Sequence, residues 1–134
     1  MDVATRVIVR ERAKHQCEYC QLHQEQSPLA SLQIEHIRPK KHRGNDELEN
    51  LALACIDCNL AKSSNISGFD PDTDRLTPLF HPRRNQWRDH FRWRGVFIEG
   101  ITPEGRTTVE VLDMNSDDRV ELRLLVFSDD THVD

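Results

Sequence analysis

The sequence is short of apolar material. Hydrophobic residues make up 37% and aromatics 6% of its 134 residues, against ~45–50% apolar in an ordinary globular domain. A core this thin leaves room for a staple of another kind, as in other small folds. No run approaches the ~18 consecutive apolar residues of a membrane-spanning helix. The opening segment MDVATRVIVRERAK has no apolar stretch of the sort that directs export. The expectation is therefore a cytoplasmic chain with no membrane contact. Internal repeats and low-complexity segments are also missing, and the length fits one domain, 1–134, with a core over about 13–66 and a supporting extension over about 78–127.

An overall basic charge is lacking too. The net charge is −5, which taken as an average argues against nucleic acid. Its distribution matters more: residues 1–94 sum to +2 and residues 95–134 to −7. Binding nucleic acid needs a local basic face, and the acidic excess lies in the C-terminal third.

Unpaired cysteine is the last absence. All four cysteines fall in two Cys-x-x-Cys pairs, Cys17/Cys20 and Cys55/Cys58. In a reducing setting such pairs read as metal ligands in preference to disulfides, and four thiolates suit one tetrahedral Zn²⁺ at roughly 2.3 Å. A redox dithiol is the weaker alternative, because no βαβ setting surrounds either pair. The 34 residues between Cys20 and Cys55 imply that the two knuckles clamp something substantial. His15 and His23 flank the first knuckle, but four cysteines already complete the set.

Along the chain, periodicity predicts an amphipathic helix over residues 3–15 with Val3 and Val7 on its packed side. A polar loop follows, then a short strand over residues 32–34 that delivers Glu35 and His36 and stops at Pro39. Residues 38–49 are the most basic local stretch. A returning strand over residues 50–54 and a short helix over about 57–64 complete this part. Residues 65–78 read as a turn-rich surface connection, in which Asp70, Asp72 and Asp74 lack the glycine and distal glutamate of a calcium loop and are expected to be solvated. Beyond it, Trp87, Phe91 and Trp93 interleave with Arg83, Arg84, Arg88, Arg92 and Arg94, either as core aromatics with arginines outward or as a nucleic-acid face. Residues 96–98 and 107–111 are expected to pair as a hairpin. A last helix over about 117–127 is expected to present Val120, Leu124 and Phe127 on one face, with residues 128–134 disordered.

The central stretch resembles the HNH endonuclease family. The residues that carry the resemblance are Cys17-x-x-Cys20, Ile34-Glu35-His36-Ile37-x-Pro39, Gly44, Asn50-Leu51, Cys55-x-x-Cys58-Asn59 and Lys62. It implies an α+β fold: a small ββα-metal core with a structural four-cysteine zinc, an N-terminal helix, and a C-terminal β-hairpin plus helix. It further implies hydrolysis of DNA phosphodiesters, as nicking or double-strand cleavage. His36 would be the general base, Glu35 and Asn59 the ligands of a catalytic Mg²⁺ or Mn²⁺, and Asn50 a residue that pins the loop. Glu35 stands where the family often has Asp, and Asn59 where it often has His.

Lys40, Lys41, Arg43, Lys62, Arg83 and Arg84 are the candidate nucleic-acid contacts, with a solvated loop as the alternative for the first four. The implied partner is nucleic acid, with DNA the expected form, and a homodimer is one route to cutting both strands. The competing reading is a non-catalytic zinc module that binds nucleic acid or a protein.

Overall fold

Asp2 starts the first helix, α1 (Val3–Arg12), by accepting the Thr5 amide at 2.8 Å. Lys14 and His15 both take positive φ and swing the chain into the first Cys-x-x-Cys turn. The packed face of α1 is not the expected one. Val9 and Ala13 are buried, whereas Val3 is 75% exposed and Val7 also faces solvent. Arginine chemistry explains the rotation. Arg10 donates to Leu32 O at 2.7 Å, and Arg12 donates to Leu48 O at 2.7 Å and to Leu51 O. The helix therefore turns its arginines, not its first valines, toward the strands.

The computed structural model describes residues 1–130, with side chains described as far as Phe127. It is an α+β fold of helices and short antiparallel hairpins. Strands β1 (Gln33–His36) and β2 (Leu51–Ala54) pair antiparallel with Glu35 opposite Ala52 and His36 opposite Leu51. Every residue of β2 is buried, so this strand is the floor of the core. The loop joining them closes tightly on Gly44, where an added Cβ would lie 1.6 Å from Arg38 O. Helix α2 (Ile56–Lys62) follows directly, its start capped by the Cys55 side chain accepting from Cys58 N.

Residues 65–78, expected as a surface connection, instead form a hairpin of β3 (Ser67–Phe69) and β4 (Leu76–Pro78). Asp70 at its turn is fully buried rather than solvated. Its carboxylate accepts from Arg106 Nε at 3.0 Å and Nη2 at 2.8 Å, and also from Asp72 N and Thr73 Oγ1. A two-pronged guanidinium contact of this kind is what makes burial of that charge tolerable. Asp72 also pairs with Arg106.

A short helix α3 (Trp87–His90) leads into β5 (Phe91–Arg94), which pairs with β6 (Phe97–Gly100) around Gly95 at φ +59°. The expected hairpin is thus placed earlier in the chain, and residues 107–111 are helical. They belong to α4 (Pro103–Val111), where Thr102 caps Gly105 N at 3.0 Å and Pro103 opens the first turn. The β-branched Thr107 and Thr108 lie within this helix, both fully buried. Thr108 moreover accepts Phe80 N and returns a bond to Glu104 O.

Helix α5 (Asp117–Asp130) closes the structure; its buried side carries Arg119 and Arg123, while of the expected apolar stripe Val120 and Phe127 are half-buried and Phe127 packs edge-on against Trp93 at 5.4 Å. Leu124 is 56% exposed. The expectation of disorder from residue 128 does not hold through Asp130, which ends this helix, and over residues 131–134 it lies outside the described residues. Both tryptophans reach back to the first cysteine turn, Trp87 Nε1 donating to Tyr19 O at 2.7 Å and Trp93 Nε1 to Gln21 Oε1 at 3.0 Å. Among the described residues no helix is long and apolar enough to cross a membrane.

The Arg106 guanidinium holds the Asp70 carboxyl down at about 2, below its ordinary 3.8. A folded-state value lower than the unfolded one means that the pair stabilises the fold above about pH 4 and loses that contribution as pH falls toward 2. Thermal melts from pH 7 downward should show Asp70→Asn less stable than wild type at neutrality, with the gap closing through this acid window.

Candidate metal centre and active site

The four cysteine sulfurs all lie within 4.8 Å of one another, and each residue is buried. A Zn²⁺ tetrahedron with bonds near 2.3 Å requires sulfurs about 3.8 Å apart, and Cys20 Sγ and Cys55 Sγ stand 3.6 Å apart. Two backbone amides support the set: Cys20 N donates to Cys17 Sγ and Cys58 N to Cys55 Sγ, each at 3.4 Å. Burial pushes the Cys17 and Cys58 thiols well above their ordinary value, while hydrogen bonds from Cys17 lower Cys20 and Cys55. Four thiols left to themselves thus compete for protons. One divalent ion removes the conflict, because thiolate is the ligand form. The cysteines are positioned to bind one metal ion, and an all-sulfur, closed set suits structural zinc. His23 lies outside this cluster, and its Nδ1 accepts from Glu25 N.

The staple fixes the hairpin, and the hairpin divides the motif residues between two places. Successive strand residues point to opposite faces. Gln33 and Glu35 face α2, where Asn59 Nδ2 donates to Gln33 Oε1 and Lys62 Nζ donates to Glu35 Oε2 at 2.9 Å. His36 leaves the other side, and its Nε2 meets Asp46 Oδ1 at 2.7 Å. Lys40 Nζ reaches the same Asp46 oxygen at 2.9 Å. Hydrogen bonds from Lys40 and His36 bring the Asp46 carboxyl down to about 2. Asn50 acts as the loop pin: it accepts Arg38 N at 2.8 Å and donates to Asn45 O at 2.8 Å and Arg38 O at 3.1 Å.

Glu35 departs most from expectation. It is 5% exposed, and both oxygens are taken, one by the Tyr19 hydroxyl and the other by Lys62. Burial raises its carboxyl, opposed by the Lys62 charge and the Tyr19 hydroxyl. Lys62, expected to contact phosphate, is only 1% exposed and donates also to Ile37 O at 3.0 Å. Its charge is committed inside the fold. Arg83 is likewise withdrawn, paired with Glu18. Lys40 is held by Asp46, and Lys41 is exposed. Arg43 and Arg84 stand at an opening instead. With Arg38, His81 and His90 they line a cavity of about 660 Å³ between the 37–50 loop and the extension, which Asn50 also borders.

Three participants escape sequence reasoning: Asp46, Tyr19 and Gln33. Asp46 sits in the basic loop and reads as a turn residue, and its ten-residue separation from His36 carries no pattern. Tyr19 lies between two ligand cysteines and reads as a spacer.

Removing one member of a buried ion pair strands the other. Lys62→Met should therefore lower the unfolding free energy by about 3–5 kcal/mol. Adding Glu35→Gln to that variant should recover much of the loss. Urea melts of the metal-loaded single and double variants measure both.

The HNH endonuclease family model matches residues 17–65. The chain is 25% identical to the Septu protein PtuB of Bacillus thuringiensis over 117 residues, which are 86% of this chain and 42% of that protein. It is 24% identical to the Septu protein PtuA of Bacillus mycoides (strain KBAB4) over an alignment of 139 positions, 84% of this chain and 19% of that protein. The chain thus spans less than half the length of either relative. No solved structure matches at a significant level. The matched segment opens at the first of the four clustered cysteines and closes three residues after Lys62, so the likeness to the HNH endonuclease family takes in the hairpin, its helix and the cysteine centre between them.

Proposed function

We propose that this chain is an endonuclease that hydrolyses phosphodiester bonds in DNA, with His36 as its general base. The observation that carries the reading is the His36–Asp46 contact on a hairpin fixed by the cysteine centre. A carboxylate beside Nε2 favours the tautomer with its proton there, which leaves the Nδ1 lone pair to take a proton from water. Asn50 holds the loop that carries Asp46, so base and orienting carboxylate share one support. Arg43 and Arg84 border the neighbouring cavity and supply positive charge for a phosphate backbone.

The family implies a catalytic Mg²⁺ or Mn²⁺ on Glu35 and Asn59. Asn59 keeps its amide oxygen available, whereas Glu35 has given both oxygens to Tyr19 and Lys62. The residues as arranged do not form a complete seat for that ion. This same engagement of Glu35 favours the second reading, a zinc module that binds nucleic acid or protein without cutting. Likeness to two Septu proteins supports a role in a system of that kind. Two active sites, as in a homodimer, would serve cleavage of both strands.

Supercoiled plasmid incubated with protein and a panel of divalent cations should pass to nicked or linear forms. His36→Ala should slow this by about 10²–10⁴-fold while zinc stays at one ion per chain. A variant that cuts at the wild-type rate would remove His36 from the role. No cutting with any cation, alongside retained DNA binding, would favour the second reading. Arg84→Glu should weaken binding of any DNA sequence and flatten its salt dependence.

A further inference from the structure

One buried charge has no part in the catalytic reading. Arg119 on α5 is 9% exposed and lies 61 residues beyond Cys58 in sequence. Its Nη2 donates to Cys58 Sγ at 2.9 Å and stands 3.9 Å from Cys55 Sγ. Its Nη1 donates to Leu112 O at 2.8 Å and Asp113 O at 3.2 Å, the carbonyls that follow the last turn of α4. The planar guanidinium thus bonds sulfur along one edge and a helix end along the other, which a lysine ammonium cannot reproduce.

Charge explains the need. Four thiolates around one divalent ion leave a net charge of about −2, and a buried charge without compensation is expensive. Two backbone amides offer only dipoles. Arg119 brings a full positive charge to hydrogen-bond distance of a ligand sulfur. Groups that hold a metal's ligands from behind commonly set its affinity.

We propose that Arg119 is a positioning residue for the four-cysteine metal centre, its guanidinium offsetting thiolate charge so that metal retention depends on docking of the C-terminal helix. The inference goes beyond the endonuclease reading and stands whether or not His36 cuts.

Arg123 provides the comparison. It is also buried on α5 and donates to Met114 O, to Val96 O at 3.1 Å and to Asn115 Oδ1 at 3.2 Å; it meets the sulfurs only through longer-range charge, with no hydrogen bond to any of them. The full chain, loaded with zinc, is titrated with EDTA and the retained zinc measured at equilibrium. Arg119→Met should weaken zinc binding by about 10–100-fold, and Arg119→Lys by an intermediate factor. Arg123→Met should lower the melting temperature yet keep zinc affinity within about threefold of wild type. Cobalt in place of zinc should show its thiolate charge-transfer band shifted by Arg119→Met and unmoved by Arg123→Met. Wild-type affinity in Arg119→Met, or an equal loss in Arg123→Met, would overturn the proposal. Should Arg119→Met fail to fold, Arg119→Lys decides: affinity lowered more than about threefold supports it, and wild-type affinity overturns it.

Discussion

Convergence of four sulfurs from two distant turns is the constraint on which the rest of the structure depends. The turns are 34 residues apart, and everything between them must return to its starting point. That requirement makes the β1–β2 hairpin compact and sets α2 directly after the second turn, with freedom of shape left to loops such as residues 37–50. Asn50 and Gly44 then remove much of that freedom, one by three hydrogen bonds and the other by permitting contact with Arg38 O. The histidine at the end of β1 inherits its placement from these.

A second constraint follows from the small apolar content. Charged groups occupy positions that hydrocarbon would fill in a richer sequence: Glu35 with Lys62, Asp70 with Arg106, Arg119 against Cys58. Pairs of this sort contribute less to net stability than an equal volume of leucine, because desolvation offsets attraction. They are, however, intolerant of misplacement. Each links segments far apart in sequence, so each penalises any alternative arrangement.

Much of the core could be read from residues alone. The cysteine spacing, the Glu35-His36 strand end, Asn50 and the helix after Cys55 all emerged where local pattern and structure agree. Legibility failed where a long-range partner decided the outcome. The valines of α1 suggested one face, but Arg10 and Arg12 found carbonyls on another. The Thr-Thr-Val-Glu-Val stretch has strand composition, and the Thr102–Pro103 start together with burial of two threonines made it helical. Lys62 and Arg83 look like surface cations until Glu35 and Glu18 are brought beside them. At the site, the spacing of Glu35 from Tyr19 and Lys62 holds no periodic signal, so its engagement was invisible.

The indole contacts of Trp87 and Trp93 carry a consequence of their own. Both rings are tethered to the segment immediately around Cys20, and the two lie 6.0 Å apart, centroid to centroid. Their fluorescence is thereby wired to the condition of the first cysteine turn. Tryptophan emission should therefore shift when the cysteine centre takes up or loses a metal ion.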